Sequence, residues 1–354
     1  MLQPKEGRIK ELLKQHGIDG AIVSSPENFH YVTGFGGHQH TVSRQPGFTL
    51  AVMRADDKAP THITTMDFEA ETFRRKSEGK GFVVDCYDTW VGLKTWAEIA
   101  EGAVLPDKEK MISSRDKLEK FIKECDLSSG RIGVELDYLP VPYYQMLCEM
   151  FPEAEFVNIS DLFVYARSVK TAEEIEMFRK LCRIADHGFT AVSKMVGIGI
   201  SEQEMVSCFR EDVIKSGFCV PSSWSMFSTG PAGARLTLPE DGIVKPGHVV
   251  KFDAGVNAEF DFYTTDTSRA WCMEGTDPAL LKLKERLYEG QRRMIAAAKP
   301  GVPINELYYA AYDYVKEKFP QYGTCYGRSS LYQCIHYKTV RGRYGAGNGS
   351  SLLY

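Results

Sequence analysis

Asp253 and Asp266 are the residues whose types and spacing point most directly to chemistry. They lie in the stretch Asp253-Ala254-Gly255-Val256-Asn257-Ala258-Glu259-Phe260-Asp261-Phe262-Tyr263-Thr264-Thr265-Asp266-Thr267-Ser268-Arg269. The apolar run Val249-Val250-Lys251-Phe252 leads in, and Ala270-Trp271-Cys272-Met273 leads out. Short apolar runs bounded by Gly, Asn and Asp are strand signals. A hairpin is therefore expected, with Asp253 near the end of one strand and Asp266 near the start of the next. Two carboxylates on facing positions repel unless positive charge lies between them. A divalent cation held by oxygen ligands meets that need. The competing reading is a pair of turn formers, since Asp side chains bond nearby backbone.

The stretch resembles the first metal motif of the M24 pita-bread metallopeptidase family, which includes methionine aminopeptidase, Xaa-Pro aminopeptidase, prolidase and the non-peptidase creatinase. That motif reads D-x-G, a short turn, then G-Y-x-x-D-x-T/S-R. Asp253, Gly255, Tyr263, Asp266, Ser268 and Arg269 match it. Phe262 stands where the family has Gly, and the turn is longer than usual. The resemblance implies that Asp253 and Asp266 are metal ligands in a site for two divalent ions, with manganese, cobalt, zinc and iron all open. It also implies a His from a G-H-x-x-G segment and two Glu from later strands. Such a metal pair lowers the pKa of a bridging water. A further His, in a Pro-His segment upstream, would contact substrate.

These additional residues are not found. The upstream segment, Ser228 to Pro239, has the Gly and Pro texture but no His, and Leu236 falls near the expected position. After Tyr322 the motif correspondence stops. Residues 323–354 contain no Asp, no Glu and no Gly-His pair, and His336 is their only His. Asp253 and Asp266 alone are expected to hold a divalent ion weakly, with no positioned nucleophile. A +1 reading of codons for Gly323-Thr324-Cys325 can encode Gly-His followed by Val or Ala. The same shift over Ala346-Gly347-Asn348-Gly349 can encode Pro-Glu-Met-Val. A shifted frame and a diverged C-terminus both account for the tail.

Three residues of an earlier loop are candidates for substrate binding. His38 and His40, in Gly36-Gly37-His38-Gln39-His40, are either solvated or line a cleft. The family resemblance implies the cleft, because there the loop after Thr33-Gly34-Phe35 approaches a partner subunit's active site. Arg44 has a fork that fits a substrate carboxylate. It equally suits a solvated surface.

The elements that must position these residues read as two domains, the usual expectation for 354 residues. Strand candidates are Ala21 to Val23, Phe48 to Met53, His62 to Thr65, Phe82 to Asp85, Ile132 to Glu135 and Glu155 to Ile159. Helical patterns at Ile9 to Gln15, Lys117 to Cys125 and Pro142 to Met150 fall among them. That alternation indicates an α/β domain over residues 1–160, and its opening resembles the creatinase-type N-terminal domain. Thr171-Ala172-Glu173-Glu174 is a capping box. It starts a long helix with Ile175, Phe178, Cys182, Ala185 and Phe189 on one face. Ser201-Glu202-Gln203-Glu204 opens a second helix, and Ile304 to Phe319 is another. Residues 161–354 are thus expected to form an α+β pita-bread domain, incomplete because the resemblance ends near residue 322.

Net charge is −4, which offers nothing to nucleic acid or an anionic membrane. There is no apolar run long enough to span a bilayer and no signal-peptide pattern at Met1 to Glu6. Nine scattered Cys without a C-x-x-C pair suggest free thiols in a reducing cytosol, most of them in the core. The expected protein is a cytoplasmic homodimer acting on a small peptide or other small molecule. The reaction read from the resemblance is metal-dependent hydrolysis of Xaa-Pro peptides, impaired by the missing ligands. A creatinase-like C–N hydrolase and a non-catalytic binding protein are the alternatives.

Overall fold

The computed structural model describes residues 5–56, 58–89, 95–102, 111–230, 237–258 and 261–320. The chain divides into two compact units, with the division between Glu174 and Ile175.

The first unit contains α1 (Glu6–Gln15), β1 (Gly20–Val23), α2 (Pro26–Thr33), α3 (His38–Ser43), β2 (Leu50–Arg54), β3 (Thr61–Met66) and α4 (Asp67–Ser77). It continues with β4 (Phe82–Tyr87), α5 (Trp96–Ala100), α6 (Ser114–Glu124), β5 (Arg131–Val134), α7 (Val141–Met150), β6 (Glu155–Asn158) and α8 (Ser160–Ser168). The six strands form one mixed sheet, ordered β4-β3-β2-β1-β5-β6. Strand alternation sorts the apolar side chains to two sides. Ala21 and Val23 pack with Leu13, Phe29 and Phe163, while Ile22 joins Phe121, Leu147 and Phe151. Helices therefore cover both faces, the α/β arrangement expected from the sequence.

The segment after β1 is helical. Ser25 caps α2, accepting from the Asn28 amide at 3.3 Å. The buried Glu135 carboxylate accepts from the Ser24 and Ser25 amides and from the Ser25 and Asn28 side chains. A carboxylate at a helix N-terminus satisfies amides that the helix itself leaves open.

The second unit follows α9 (Ala172–Met195), whose first turn carries the expected box. The Thr171 amide donates to Glu174 Oε2 at 2.7 Å, and the Glu174 amide donates to Thr171 Oγ1 at 3.3 Å. The buried face of α9 differs from expectation. Leu181 is buried, whereas Cys182 and Ile175 are exposed. Glu174 and Val192 are buried as well as Phe178, Ala185 and Phe189, so the centre of the face shifts to the Leu181 side and leaves Cys182 and Ile175 at its edge.

Then come α10 (Glu202–Lys215), β7 (Val220–Pro221), β8 (Met226–Thr229), β9 (Val249–Ala254), β10 (Val256–Ala258), β11 (Tyr263–Thr264), β12 (Thr267–Cys272), α11 (Pro278–Ala297) and α12 (Ile304–Lys318). The strands form two small sheets, β12-β9-β8 and β11-β10-β7. Phe252 of β9 anchors the core: its ring lies 5.1 Å from those of Phe189 on α9, Phe209 on α10 and Phe227 on β8. Helices α11 and α12 share a separate apolar cluster built on Met294, Ala311 and Val315.

Among the described residues no helix is long and apolar enough to cross a membrane. The described cysteines are all free. Only Cys125 and Cys219 are fully buried, so the expectation that most cysteines sit in the core does not hold for those described.

Candidate functional site

The site grows from one long hairpin. Strand β9 pairs antiparallel with β12, placing Asp253 opposite Ser268 and Ala254 opposite Thr267. Strand β10 pairs with β11 in the same register, with Asn257 opposite Thr264. Carried through the join, that register puts Gly255 across from Asp266. Directly opposed residues share a face, as do residues two apart on one strand. Asp253, Gly255, Asp266 and Ser268 therefore lie on one face. Asp253 and Asp266 are diagonal neighbours, a relation that usually spans about 7–8 Å.

The other motif residues face the opposite way. Tyr263 meets Phe178 of α9 edge-on, with ring centroids 5.2 Å apart. Arg269 lies across from Phe252. Its Nη2 donates to Asp186 Oδ1 of α9 at 2.7 Å, and its guanidinium lies 5.1 Å from the Phe189 ring centre. The D-x-G…Y-x-x-D-x-S-R pattern is thus two sets of residues. Asp253 and Asp266 occupy one side of the sheet, while Tyr263 and Arg269 bind the other side to a helix.

Gly255 is where the chain leaves one sheet for the other, and no side chain fits there. A Cβ on Gly255 would lie 1.8 Å from the Thr265 carbonyl oxygen and 3.1 Å from the Trp224 ring. Ser222 holds this kink from the far side. Its amide donates to the Gly255 carbonyl, and its Oγ accepts from the Gly255 amide, both at 2.9 Å. Because Gly255 has no side chain, the Thr265 backbone and the Trp224 ring close in against the hairpin at this point.

Asp253 is 2% exposed because β9 is the central strand, flanked by Ser268 and by Met226 of β8. Glu202, at the start of α10, fixes the end of β8. Its buried carboxylate accepts from the Thr229 amide at 3.0 Å and from the Glu240 amide at 2.8 Å. Sequence reasoning found the Ser201 capping box but not this role for Glu202. It also missed Ser222, Asp186 and the contact of Arg269 with Phe189. None of these carries a local signal, because each acts across a long sequence separation.

His38, His40 and Arg44 belong to the first unit. His38 is exposed at the start of α3. The His40 ring is buried, with Nε2 2.8 Å from the Ser24 carbonyl oxygen and the ring edge-on to Phe29 at 5.3 Å. Desolvation lowers its pKa to about 4, so it is neutral at ordinary pH. Arg44 pairs with Glu27 at 2.9 Å, and its carbonyl accepts from the Tyr138 hydroxyl at 2.8 Å. Leu236, His336 and the segment 323–354 lie outside the described residues.

Asp253 and Asp266 supply oxygen donors of the kind a divalent ion takes. Among the described residues no group of three or more His, Cys, Asp or Glu comes together. The described donor set is therefore two carboxylates, which does not fit a closed two-metal shell, and no chemical step is assigned to a metal.

The family comparisons agree with this architecture. Residues 7–169 match the Creatinase/Prolidase N-terminal domain and residues 176–349 match Metallopeptidase family M24. The second match runs past residue 322, where the motif correspondence ends. An Xaa-Pro dipeptidase of Lactobacillus helveticus is 30% identical over 311 residues, covering 87% of this chain and 76% of that protein. A creatinase of a Bacillus species is 24% identical over 345 residues, covering 92% and 74%. The solved Xaa-Pro dipeptidase from Bacillus anthracis superposes with a TM-score of 0.71 at 20% identity, covering 88% of this chain and 76% of that one. With a creatinase-type first domain and a pita-bread second domain that carries the D-x-G hairpin, the chain belongs to metallopeptidase family M24.

Proposed function

We propose that this chain carries the remnant of an Xaa-Pro dipeptidase site, with Asp253 and Asp266 as oxygen ligands for a divalent ion, and that peptide hydrolysis is impaired. The observation that carries this is the hairpin register, which puts both carboxylates on one face with no side chain at Gly255 between them. The impairment follows from donor chemistry. A bridging hydroxide needs metals held by several anionic or imidazole ligands. Residues 323–354 contain no Asp or Glu, and His336 would supply a single nitrogen. The substrate class rests on the likeness to Xaa-Pro dipeptidases. The free thiols of the described residues suit a cytoplasmic setting, and a homodimer is the expected assembly.

The creatinase-like alternative has the likeness to a Bacillus creatinase behind it. The retained Asp253 and Asp266 weigh against it, because creatinase lacks the metal carboxylates. A non-catalytic binding role remains compatible with the short donor set.

Two measurements test the proposal. The purified chain and an Asp253→Ala control are assayed with added Mn²⁺ on matched Xaa-Pro and Xaa-Ala dipeptides. The expected result is equal, background turnover, and metal-dependent turnover well above the control would overturn the impairment. Sequencing the gene through the codons after Tyr322 then decides the tail. A restored-frame chain should cleave Xaa-Pro in preference to Xaa-Ala, and equal rates on both would remove the substrate class.

A further inference from the structure

Lys251 shares the face of the two carboxylates. It lies two positions before Asp253 on β9 and pairs with Ser228 on one side and Ala270 on the other. Strand alternation sends its side chain out on the Asp253 side, from a backbone position about 7 Å away. A lysine stem reaches across that gap. Lys251 is half-buried, where salt and water screen its charge less than on an open surface. Its neighbour Ser228 is 1% exposed, and Ser228 Oγ has no hydrogen-bond partner among the described residues. A buried hydroxyl left unsatisfied opposite this lysine, and diagonal to Asp253, is a second mark of a site built for a polar ligand.

We propose that Lys251 is the built-in cation of this face, and that its charge opposes a divalent metal at Asp253 and Asp266. The inference rests on the reading of those aspartates as metal ligands and accounts for a two-carboxylate site that holds metal poorly. The two carboxylates attract a divalent ion, and the ammonium repels it with twice the force it would exert on a monovalent one. Replacing Lys251 by Met removes the charge and keeps an unbranched stem of similar reach. Replacing it by Arg keeps the charge.

The test is calorimetric titration of the full chain with Mn²⁺. Lys251→Met should bind at least about tenfold more tightly than the unmodified chain, and Lys251→Gln should do the same. Lys251→Arg should stay as weak as the unmodified chain, and adding Asp266→Asn to Lys251→Met should abolish the gain. If Lys251→Met and Lys251→Gln bind within twofold of the unmodified chain while Asp266→Asn weakens binding, the role of Lys251 is overturned and the ligand reading stands. If neither the unmodified chain nor either charge-removed variant binds Mn²⁺, both readings fail together.

Discussion

The carbonyl oxygen of Thr265 occupies the place where a side chain on Gly255 would begin, 1.8 Å from the ideal Cβ position. The obstructing atom is backbone, so no rotamer change relieves the clash. Gly255→Ala should force the hairpin apart where β9 passes into β10 and cost about 2–3 kcal/mol of stability. Urea unfolding would measure this, and a midpoint unchanged from the unmodified chain would show that the two strands can separate without penalty.

The backbone at Phe262 accounts for the glycine that the family motif has there. Its φ is 59°, in the left-handed region that glycine enters without a steric penalty. Phe262→Gly should therefore be tolerated within about 1 kcal/mol, the relief of strain offsetting lost contacts. Phe262→Val should cost at least about 1 kcal/mol more, because a β-branched residue is a poor fit at positive φ. Thermal unfolding of the two variants side by side checks the order, and Val matching Gly would remove the strain argument.

Arg269 matches the metal motif but faces the helix. Arg269→Ala should lose the Asp186 contact and the packing over Phe189, at a cost of about 1 kcal/mol. Mn²⁺ affinity should stay within about twofold, since the side chain leaves the sheet on the side away from Asp253. A large loss of Mn²⁺ binding with intact stability would place Arg269 on the wrong face.

Much of this was legible before any coordinates. The strands of the first unit and the capping boxes at Thr171 and Ser201 are local signals, and each falls where its residues indicated. The hairpin was legible as well, because its apolar runs and turn residues are contiguous. The two-faced division of the motif was not, since it follows from the register between strands. Helix α2 does carry a local start signal in the Ser25 cap and Pro26, but the Glu135 carboxylate that completes its N-terminus is far away in the sequence. His40 looked like a loop residue because its burial depends on Phe29 and Ser24.

His40 also makes the first unit sensitive to acid. Burial lowers its folded-state pKa from 6.5 to about 4, so the folded chain takes up the proton later than the unfolded chain does. Its contribution to stability is fully present above pH 6.5, falls as pH drops from 6.5 towards 4, and is gone below that window. The total is at most about 3 kcal/mol. His40 Nδ1 has no hydrogen-bond partner among the described residues, and the pull of Glu27 on an added charge does not outweigh the lost hydration. A His40→Gln variant should show a flatter stability profile between pH 4 and 6.5. An unchanged slope would assign the acid sensitivity to other groups.

Asp266 separates the ligand reading from the turn reading. If it is a ligand, it faces Asp253 across Gly255, and without metal the two negative charges repel. Lys251 on the same face offsets part of that repulsion. Asp266→Asn keeps the shape and removes one charge, so the metal-free chain should gain roughly 0.5–1 kcal/mol. The same change removes an anionic oxygen donor and should weaken Mn²⁺ binding by an order of magnitude or more, about the effect of losing one charged ligand at this range. A turn former behaves differently: Asn replaces Asp well in turns, and neither quantity should move. Calorimetric titration with Mn²⁺ and urea unfolding of the metal-free variant together distinguish the two. Unchanged Mn²⁺ affinity would make Asp266 a residue of the hairpin alone and leave Asp253 without a partner ligand among the described residues.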